Sequence, residues 1–250
     1  MPDAPRPCDP HLDLVKFNFS LPHFAGSLRR QRKTKVVAIG SSSTSGEDNV
    51  IPFPPRLELA LRKRFSDRMI DVLNRGIGGQ EAPEELSRFE PDVIAEAPTL
   101  AIWQVGTNAI YHRTLYDPHR VAGTIATGLS RLKGLEMDVI LMDLQYAPVL
   151  LGAQEKDQAA KEQKEKDTRL MVSLISAVAT TAEVNLFPRF ALMERWVTVD
   201  KIDQARLISQ DGLHQTDFAN DCVTQALDCA IGAAVGPVAA APVLEPAPST

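Results

Sequence analysis

The sequence lacks most of the features that would place it in a specialised class of protein. Only three of its 250 residues are cysteine, and no apolar run approaches the roughly 18–20 residues that a transmembrane helix requires. The net charge of −5 argues against nucleic acid or an anionic membrane as the main partner. The five histidines show no metal-like spacing, so we expect no metal site. The chain as a whole has the composition of an ordinary globular protein, with 44% hydrophobic and 24% charged residues.

The three cysteines do not predict a disulfide framework. Cys222 and Cys229 lie in one predicted helix, where seven residues place their Cα atoms about 10 Å apart. A disulfide bridges Cα atoms that are less than about 7 Å apart. A bond from Cys8 to either of them stays open, but we expect small buried or free thiols.

The two ends of the chain differ in composition from the rest. Residues 1–33 contain several prolines, lack periodicity and end in a basic cluster, which predicts an extended strap over the surface. Residues 233–250 are rich in alanine and proline, and we expect them to be disordered or extended. Residues 34–232 show no internal repeat and predict a single domain. The chain as given shows no export signal, so the default expectation is cytoplasmic, or periplasmic or secreted if a signal was trimmed.

Between these ends, short apolar segments alternate with amphipathic ones. The apolar segments are typical of strands buried on both faces: Lys35–Ile39, Met69–Leu73, Leu100–Trp103, Val139–Met142 and Val184–Phe187. The amphipathic segments predict five helices: Pro55–Phe65, Pro83–Arg88, Pro118–Leu132, Thr168–Thr181 and Asp217–Ile231. Such an alternation predicts a parallel sheet with helices on both faces and a site at the carboxyl ends of the strands. The polar stretch 154–167 predicts a solvated first half of the fourth helix or, alternatively, a mobile flap near the site.

Three residues have the chemistry of a nucleophile and its activating partners. Ser42 lies in the small-residue turn 40–44 that follows the first predicted strand, so its hydroxyl is expected at the carboxyl edge of the sheet. Asp211 precedes His214 by three residues, a spacing at which a carboxylate can orient an imidazole. Together they predict the nucleophile, base and orienting acid of a serine hydrolase.

Other serines of the same turn leave an alternative open. Ser41, Ser43 or Ser45 could be the nucleophile, and any serine of such a turn can instead cap the next helix. Only one side chain of a strand-to-helix turn is expected to point over the sheet edge.

Two further loops could supply hydrogen-bond donors to an oxyanion. The loop 74–79 follows the second strand, and its glycines let the backbone approach a ligand closely. The loop 105–108 follows the third strand and ends in Asn108, whose amide could turn into the same pocket. Acyl transfer needs such donors, because negative charge develops on the carbonyl oxygen in the transition state.

These four blocks, in this order and each at a strand end, resemble the SGNH (GDSL) hydrolase family. The resemblance implies that Ser42, His214 and Asp211 form a catalytic triad. It also implies an oxyanion hole made of the Ser42 N–H, the Gly79 N–H and the Asn108 side-chain amide.

The resemblance covers residues 35–219 and has consequences for fold and activity. It implies an α/β fold, namely a flavodoxin-like three-layer α/β/α sandwich with a central five-stranded parallel sheet, the SGNH hydrolase fold. Members of the family hydrolyse esters, and sometimes thioesters or amides, without a cofactor. Two positions depart from the family motifs: Ser41 and Ala109 stand where the family has or often has Asp. Neither position belongs to the expected chemistry.

Five further residues are candidates for substrate contacts because they lie near the carboxyl ends of predicted strands. Gln145 and Tyr146 follow the fourth strand, Arg189 and Trp196 follow the fifth, and His112 lies shortly after the Asn108 loop. Arg189 could hold an anionic or carbonyl group, or could form a surface ion pair instead.

We expect the substrate to be a small-molecule or carbohydrate ester with a short acyl group such as acetyl, because the resemblance implies a family with a broad range of ester substrates and the chain has no long apolar lid segment. A non-catalytic carbohydrate-binding or scaffold protein of the same fold is one alternative. Another is a nucleotide-binding module that uses the loop 74–79, although that loop lacks the Lys-Ser/Thr of a P-loop and the Gly-x-Gly-x-x-Gly pattern. The oligomeric state stays open.

Overall fold

Five parallel strands form one sheet in the spatial order β2-β1-β3-β4-β5. Their bounds are β1 Lys33–Gly40, β2 Met69–Gly76, β3 Leu100–Gln104, β4 Asp138–Met142 and β5 Asn185–Phe187. The computed structural model describes residues 8–30, 33–47 and 49–236. The predicted five-stranded parallel sheet is confirmed, and each predicted strand overlaps an observed one.

The central strands are buried on both faces. All five residues of β3 are buried, as are residues 36–40 of β1. A strand without a solvent-facing side needs helices above and below the sheet, and this explains the unbroken apolar character of these segments in the sequence. The register places Gly40 beside Gly76, so β1 and β2 end together at one edge.

Helices cover both faces of the sheet. On one side α4 (Phe53–Arg64) and α11 (Asp217–Val235) pack together, and on the other α7 (Pro118–Leu132) packs against α5 (Ala82–Ser87) and α8 (Gln158–Ala182). The α-helices are α1 Leu12–Val15, α2 Pro22–Arg30, α3 Ser42–Ser45, α4 Phe53–Arg64, α5 Ala82–Ser87, α6 Thr107–Tyr111, α7 Pro118–Leu132, α8 Gln158–Ala182, α9 Arg189–Thr198, α10 Gln204–Leu207 and α11 Asp217–Val235. A π-helix, Glu90–Ile94, and a 3₁₀ helix, Pro148–Leu151, complete the regular structure of the described residues. The three-layer α/β/α sandwich predicted from the sequence is confirmed.

The polar stretch before Thr168 is the first half of α8. The helix begins at Gln158, where the Asp157 side chain caps it by accepting the Ala160 N–H at 3.0 Å. Most side chains of this half are exposed, which explains its polar composition. Residues 158–167 therefore form the solvated first half of a helix, as the first of the two alternatives predicted.

The prediction of an extended N-terminal strap is wrong for residues 22–30, which form α2. Phe24 and Leu28 lie one helical turn apart, and both side chains are fully buried. The Phe24 N–H also donates to the Asp138 carboxylate at 2.8 Å, which ties α2 to the amino end of β4. A nine-residue helix that contains Pro22 and Gly26 has weak intrinsic propensity, and burial of its apolar side overrides that preference.

The expectation of free thiols is wrong for Cys8 and Cys222, which form a disulfide with their Cα atoms 5.6 Å apart. The N-terminal segment lies against α11, a contact between residues 214 apart in sequence that the cysteine spacing alone does not reveal. Cys229 is free.

The predicted domain limits and tail extend beyond the described part of the chain. Helix α11 continues to Val235, so residues 233–235 are helical rather than part of the tail. The predictions for residues 1–7 and 237–250 lie outside the described residues. Among the helices that the structure describes, none combines the length and the apolar content needed to cross a membrane.

Candidate active site

Ser42 is the first residue of α3, directly after the sharp turn that ends β1. Gln104, the last residue of β3, holds this turn because its Oε1 atom accepts bonds from the Ser41 N–H at 3.1 Å and from Thr44 Oγ1 at 3.2 Å. Gly40 leaves room for Gln104, since a Cβ atom there would lie 2.8 Å from Gln104 Oε1. The neighbouring strand therefore positions the Ser42 hydroxyl at the carboxyl edge of the sheet.

His214 lies in a tight loop that Asp211 organises. Asp211 Oδ1 accepts the Leu213 N–H at 2.8 Å and the His214 N–H at 3.0 Å, so the carboxylate folds its own loop. Gly212 has a φ of 74°, a left-handed conformation that favours glycine. The other carboxylate oxygen, Oδ2, is hydrogen-bonded to His214 Nδ1.

The structure brings Ser42, His214 and Asp211 together. His214 Nε2 lies 3.0 Å from Ser42 Oγ, while Nδ1 of the same ring is hydrogen-bonded to Asp211. Ser42 is 8% exposed, and the His214 side chain is 24% exposed, so the edge of the ring is open to solvent. An imidazole held between a hydroxyl and a carboxylate can remove the hydroxyl proton while the carboxylate stabilises the resulting cation.

The Asp211 carboxylate stays ionised well into the acid range. Burial by itself raises the pKa of Asp211, but the hydrogen bonds from the Leu213 N–H, the His214 ring, the Ser209 hydroxyl and the His214 N–H outweigh burial and hold the pKa well below its usual value. The charge that would stabilise an imidazolium at His214 is therefore present at neutral pH.

The glycine loop after β2 passes beside Ser42. A Cβ atom on Gly78 would lie 4.0 Å from the Ser42 Cβ, and Gly79 has a left-handed φ of 78°. Neither the Gly79 N–H nor the Ser42 N–H donates a hydrogen bond to any residue that the structure describes. A backbone N–H of the nucleophile candidate and one of the loop beside it, both without a partner among the described residues, are suited to binding an oxyanion.

Asn108 is buried in α6, at the loop after β3. Its Nδ2 atom donates to the carbonyl of Gln80 at 2.7 Å, which joins this loop to the glycine loop. An amide nitrogen carries two hydrogens, so this bond leaves one for a ligand.

Gln145 does not contact substrate as predicted, because its side chain is fully buried. Its Oε1 atom accepts bonds from Thr107 Oγ1 at 2.9 Å and from Arg189 Nη2 at 3.0 Å. Its Nε2 atom donates to the carbonyl of Leu213 at 3.1 Å. Through these bonds, the buried side chain of Gln145 links the loop of Asn108 to the loop of His214.

Arg189 is also fully buried, so it neither holds a substrate anion nor forms a surface ion pair. Its guanidinium donates to the Asp143 carbonyl, the Gln145 Oε1 atom and the Gln215 Oε1 atom, each at 3.0 Å. Gln215 directly follows His214. The planar guanidinium thus holds the side chains of Gln145 and Gln215 in place in the interior next to His214.

For the remaining three substrate-contact candidates, the described contacts are with residues other than Ser42, His214 and Asp211. Trp196 is fully buried, and its Nε1 atom donates to the Asp9 carbonyl at 2.7 Å, so it anchors the N-terminal segment and does not floor a pocket. The half-buried Tyr146 packs edge-on against Phe190 with ring centroids 5.2 Å apart. His112 follows α6 and packs against Tyr111. A substrate contact by Tyr146 or His112 stays a prediction.

A small cavity of about 30 Å³ opens beside Ser42 and His214. Gly46, Val50 and Pro52, from the segment between α3 and α4, form one wall. A water molecule needs about 10–15 Å³ by this measure, so the cavity accommodates only a group of a few atoms.

Two buried carboxyl groups near the site were not among the sequence candidates. Glu81 caps α5, and the Glu-x-x-Glu spacing from Glu81 to Glu84 is a capping-box signal that the sequence contains. Asp143 follows β4, and nothing in its local sequence indicates that it is fully buried. Among the described residues, no group of His, Cys, Asp and Glu side chains could hold a metal ion.

The comparisons with known proteins agree with this fold. The model of the Non-GDSL lipase-like family matches residues 7–237. No curated protein matches the chain. Among solved structures, the chain is similar to LAE5, an alpha/beta hydrolase enzyme from the metagenome of Lake Arreo, Spain, with a TM-score of 0.66, 18% identity, and coverage of 80% of this chain and 96% of that one. It is also similar to Axe2, an acetylxylan esterase from Geobacillus stearothermophilus, with a TM-score of 0.64, 19% identity, and coverage of 80% and 94%.

Proposed function

The chain belongs to the Non-GDSL lipase-like family, and from this premise we propose that it is a serine esterase with an SGNH-type site. The observation that carries the proposal is the line of hydrogen bonds from Ser42 Oγ through the His214 ring to Asp211. The backbone N–H groups of Ser42 and Gly79, which have no partner among the described residues, support it.

In the proposed reaction, His214 Nε2 removes the proton from Ser42 as its oxygen attacks the ester carbonyl carbon. The carbonyl oxygen becomes an oxyanion, which accepts hydrogen bonds from the N–H groups of Ser42 and Gly79 and from the Asn108 amide. Removing one such donor typically costs about 2.7–4 kcal/mol of transition-state stabilisation.

The acyl-enzyme forms when the alcohol leaves with the proton that His214 had taken. Water then attacks the acyl carbon, His214 accepts a proton from that water, and Ser42 regains a proton as the carboxylic acid departs. Asp211 keeps the imidazole oriented through both halves and stabilises the imidazolium. General acid–base help of this kind contributes about 10²–10⁴-fold.

The preferred acyl group in this proposal is short, with acetyl on a carbohydrate or a small alcohol as the leading choice. The cavity of about 30 Å³ beside Ser42 supports a group of a few atoms. The similarity in fold to an acetylxylan esterase points in the same direction.

Hydrolysis of p-nitrophenyl acetate by the wild type and three alanine variants tests the proposal. Ser42→Ala and His214→Ala are expected to lower kcat by at least about 10³-fold, because each removes a reacting group. Ser45→Ala is the matched control, since among the described residues the Ser45 hydroxyl bonds only to backbone carbonyls, and its kcat should stay within about threefold of wild type.

A fluorophosphonate probe supplies the second readout. The modified peptide should contain Ser42, and labelling should disappear in Ser42→Ala but persist in Ser45→Ala. Turnover that survives both Ser42→Ala and His214→Ala, or a label on another serine, would contradict the proposal.

A further inference from the structure

Glu81 lies between the two loops that carry the proposed oxyanion donors. It follows Gly79 by two residues, and its side chain is 1% exposed. Its Oε1 atom accepts the Gly106 N–H at 2.8 Å, and its Oε2 atom accepts the Ala109 N–H at 2.8 Å. These two N–H groups flank Asn108, so one carboxylate holds the backbone on both sides of that residue.

The sheet itself does not join these loops. The glycine loop follows β2 and the Asn108 loop follows β3, but β1 lies between those strands. With neighbouring strands about 4.8 Å apart, the ends of β2 and β3 are separated by about 10 Å, and Ser42 follows the strand between them. The bonds from Glu81 to Gly106 and Ala109, together with the bond from Asn108 to the Gln80 carbonyl, close this gap.

The hydrogen bonds favour the negative charge on Glu81 over its neighbour Glu85. Burial raises the pKa of both carboxyl groups, and the charge of Glu81 raises the pKa of Glu85 further, to well above its usual value. Glu81 accepts three backbone N–H bonds, the third from Ala82 at 3.0 Å, and these favour its ionised form. Glu85 accepts a bond from Trp103 Nε1 at 2.7 Å, while its Oε1 atom has no partner among the described residues.

We propose that Glu81 is a positioning residue for the oxyanion hole, and that its carboxylate holds Gly79 and Asn108 at the distance that lets both donors reach one oxygen. The inference rests on the proposed esterase function and adds a residue to it. Glu81 does not touch the substrate, because the two loops cover it. Its effect on the reaction passes through Gly79 and Asn108.

Glu81→Gln and Glu85→Gln form a matched pair of isosteric substitutions one helical turn apart. In Glu81→Gln the amide NH₂ faces a backbone N–H donor, so one bond to the Asn108 loop is replaced by a repulsive contact. We expect kcat for p-nitrophenyl acetate to fall about 10–100-fold with KM within about threefold of wild type, since the lost interaction belongs to the transition state. The Glu85 side chain makes no bond to the Asn108 loop among the described residues, so Glu85→Gln should keep kcat within about threefold.

Inhibition by methylboronic acid supplies a readout that a purely structural role would not change. The tetrahedral adduct on Ser42 places an oxygen in the oxyanion hole, so Glu81→Gln should raise the inhibition constant by about the same factor by which it lowers kcat/KM.

Folding is checked by near-UV circular dichroism. If Glu81→Gln does not fold, Glu81→Asp is measured instead. It keeps the charge and the helix cap but is one methylene too short to accept both the Gly106 and the Ala109 N–H, and the same losses are expected.

The outcomes separate this inference from the proposed function. Turnover that is insensitive to Ser42→Ala removes the esterase proposal itself. Turnover that depends on Ser42, combined with a folded Glu81 variant that has wild-type kcat and wild-type boronate affinity, overturns the positioning role alone. An equal loss of kcat in Glu85→Gln also overturns it, because the effect would then belong to the buried pair as a whole.

Discussion

At the scale of single residues, Asp143 is a buried carboxyl group that makes stability depend on pH. Burial raises the pKa of Asp143 to about 7, although the Phe190 N–H bond and the charge of Arg189 both act in the opposite direction. The Phe190 N–H donates to its Oδ1 atom at 2.9 Å, whereas its Oδ2 atom has no partner among the described residues. The folded state therefore favours the protonated form more than the unfolded chain does.

This difference predicts a loss of stability as the pH rises. The unfolded carboxyl group ionises near pH 4, while the folded one keeps its proton until about pH 7, so the free energy of unfolding falls across that window and stays low above it. Asp143→Asn cannot ionise and should lack this component, which amounts to a few kcal/mol. Urea unfolding of both proteins at pH 5 and pH 8 measures it, because other titrating groups cancel in the difference. Parallel profiles for the two proteins would contradict the assignment.

At the scale of elements, described residues between α3 and α4 form one wall of the cavity beside Ser42. Gly46, Val50 and Pro52 line it together with Ser42 and His214. The N-terminal end of α4 follows directly at Phe53, whose side chain is buried, so this wall is anchored to the core. In the proposed reaction, this wall would limit the size of an acyl group bound in the cavity.

Acyl chain length should therefore control the rate. We expect kcat/KM for p-nitrophenyl esters to fall by about 10-fold or more for each methylene added beyond acetate, since the cavity of about 30 Å³ has no room for them. Val50→Ala enlarges the cavity and should reduce this decline, most clearly for the propionate and butyrate esters. Leu59→Ala is the control, because Leu59 is exposed on α4 outside the cavity. A flat chain-length profile in the wild type would show that the acyl group binds elsewhere.

At the scale of the whole molecule, the described N-terminal residues bind to α9 and α11, two helices from the C-terminal part of the chain. The Cys8–Cys222 disulfide joins it to α11, and the Trp196 Nε1 atom of α9 donates to Asp9. His11 is hydrogen-bonded to Asp200 at 2.6 Å, beyond the end of α9. The segment therefore belongs to the folded domain rather than lying loosely over it.

Reduction of this disulfide should lower the free energy of unfolding by about 2–5 kcal/mol, because the bond closes a loop of more than 200 residues and restricts the unfolded chain. Urea unfolding of Cys8→Ser should show the same loss as unfolding of the wild type with reductant. Cys229→Ser, which removes the free thiol, should unfold like the oxidised wild type. In protein denatured without reductant, one free thiol should be detected. The detection of three free thiols would show that the bond is absent.

Local signals in the sequence were sufficient for the sheet and for the elements of the proposed site. The turn around Ser42, the Asp211 to His214 spacing and the glycine loop each act over a few residues, so their backbone conformations follow from nearby side chains. Strands buried on both faces likewise leave a local mark, a short run of apolar residues. These features predicted which side chains stand at the carboxyl edge of the sheet.

Only the tertiary structure decided what is buried and which distant segments meet. Arg189 follows β5 much as Gln145 follows β4, and nothing local distinguishes a side chain that faces a substrate from one that faces the interior. The Cys8–Cys222 bond and the burial of α2 depend on contacts across most of the chain. The bonds from Glu81 join the loop after β2 to the loop after β3, although β1 lies between these two strands in the sheet. Burial and long-range pairing are set by how the layers pack, and packing is a property of the whole chain.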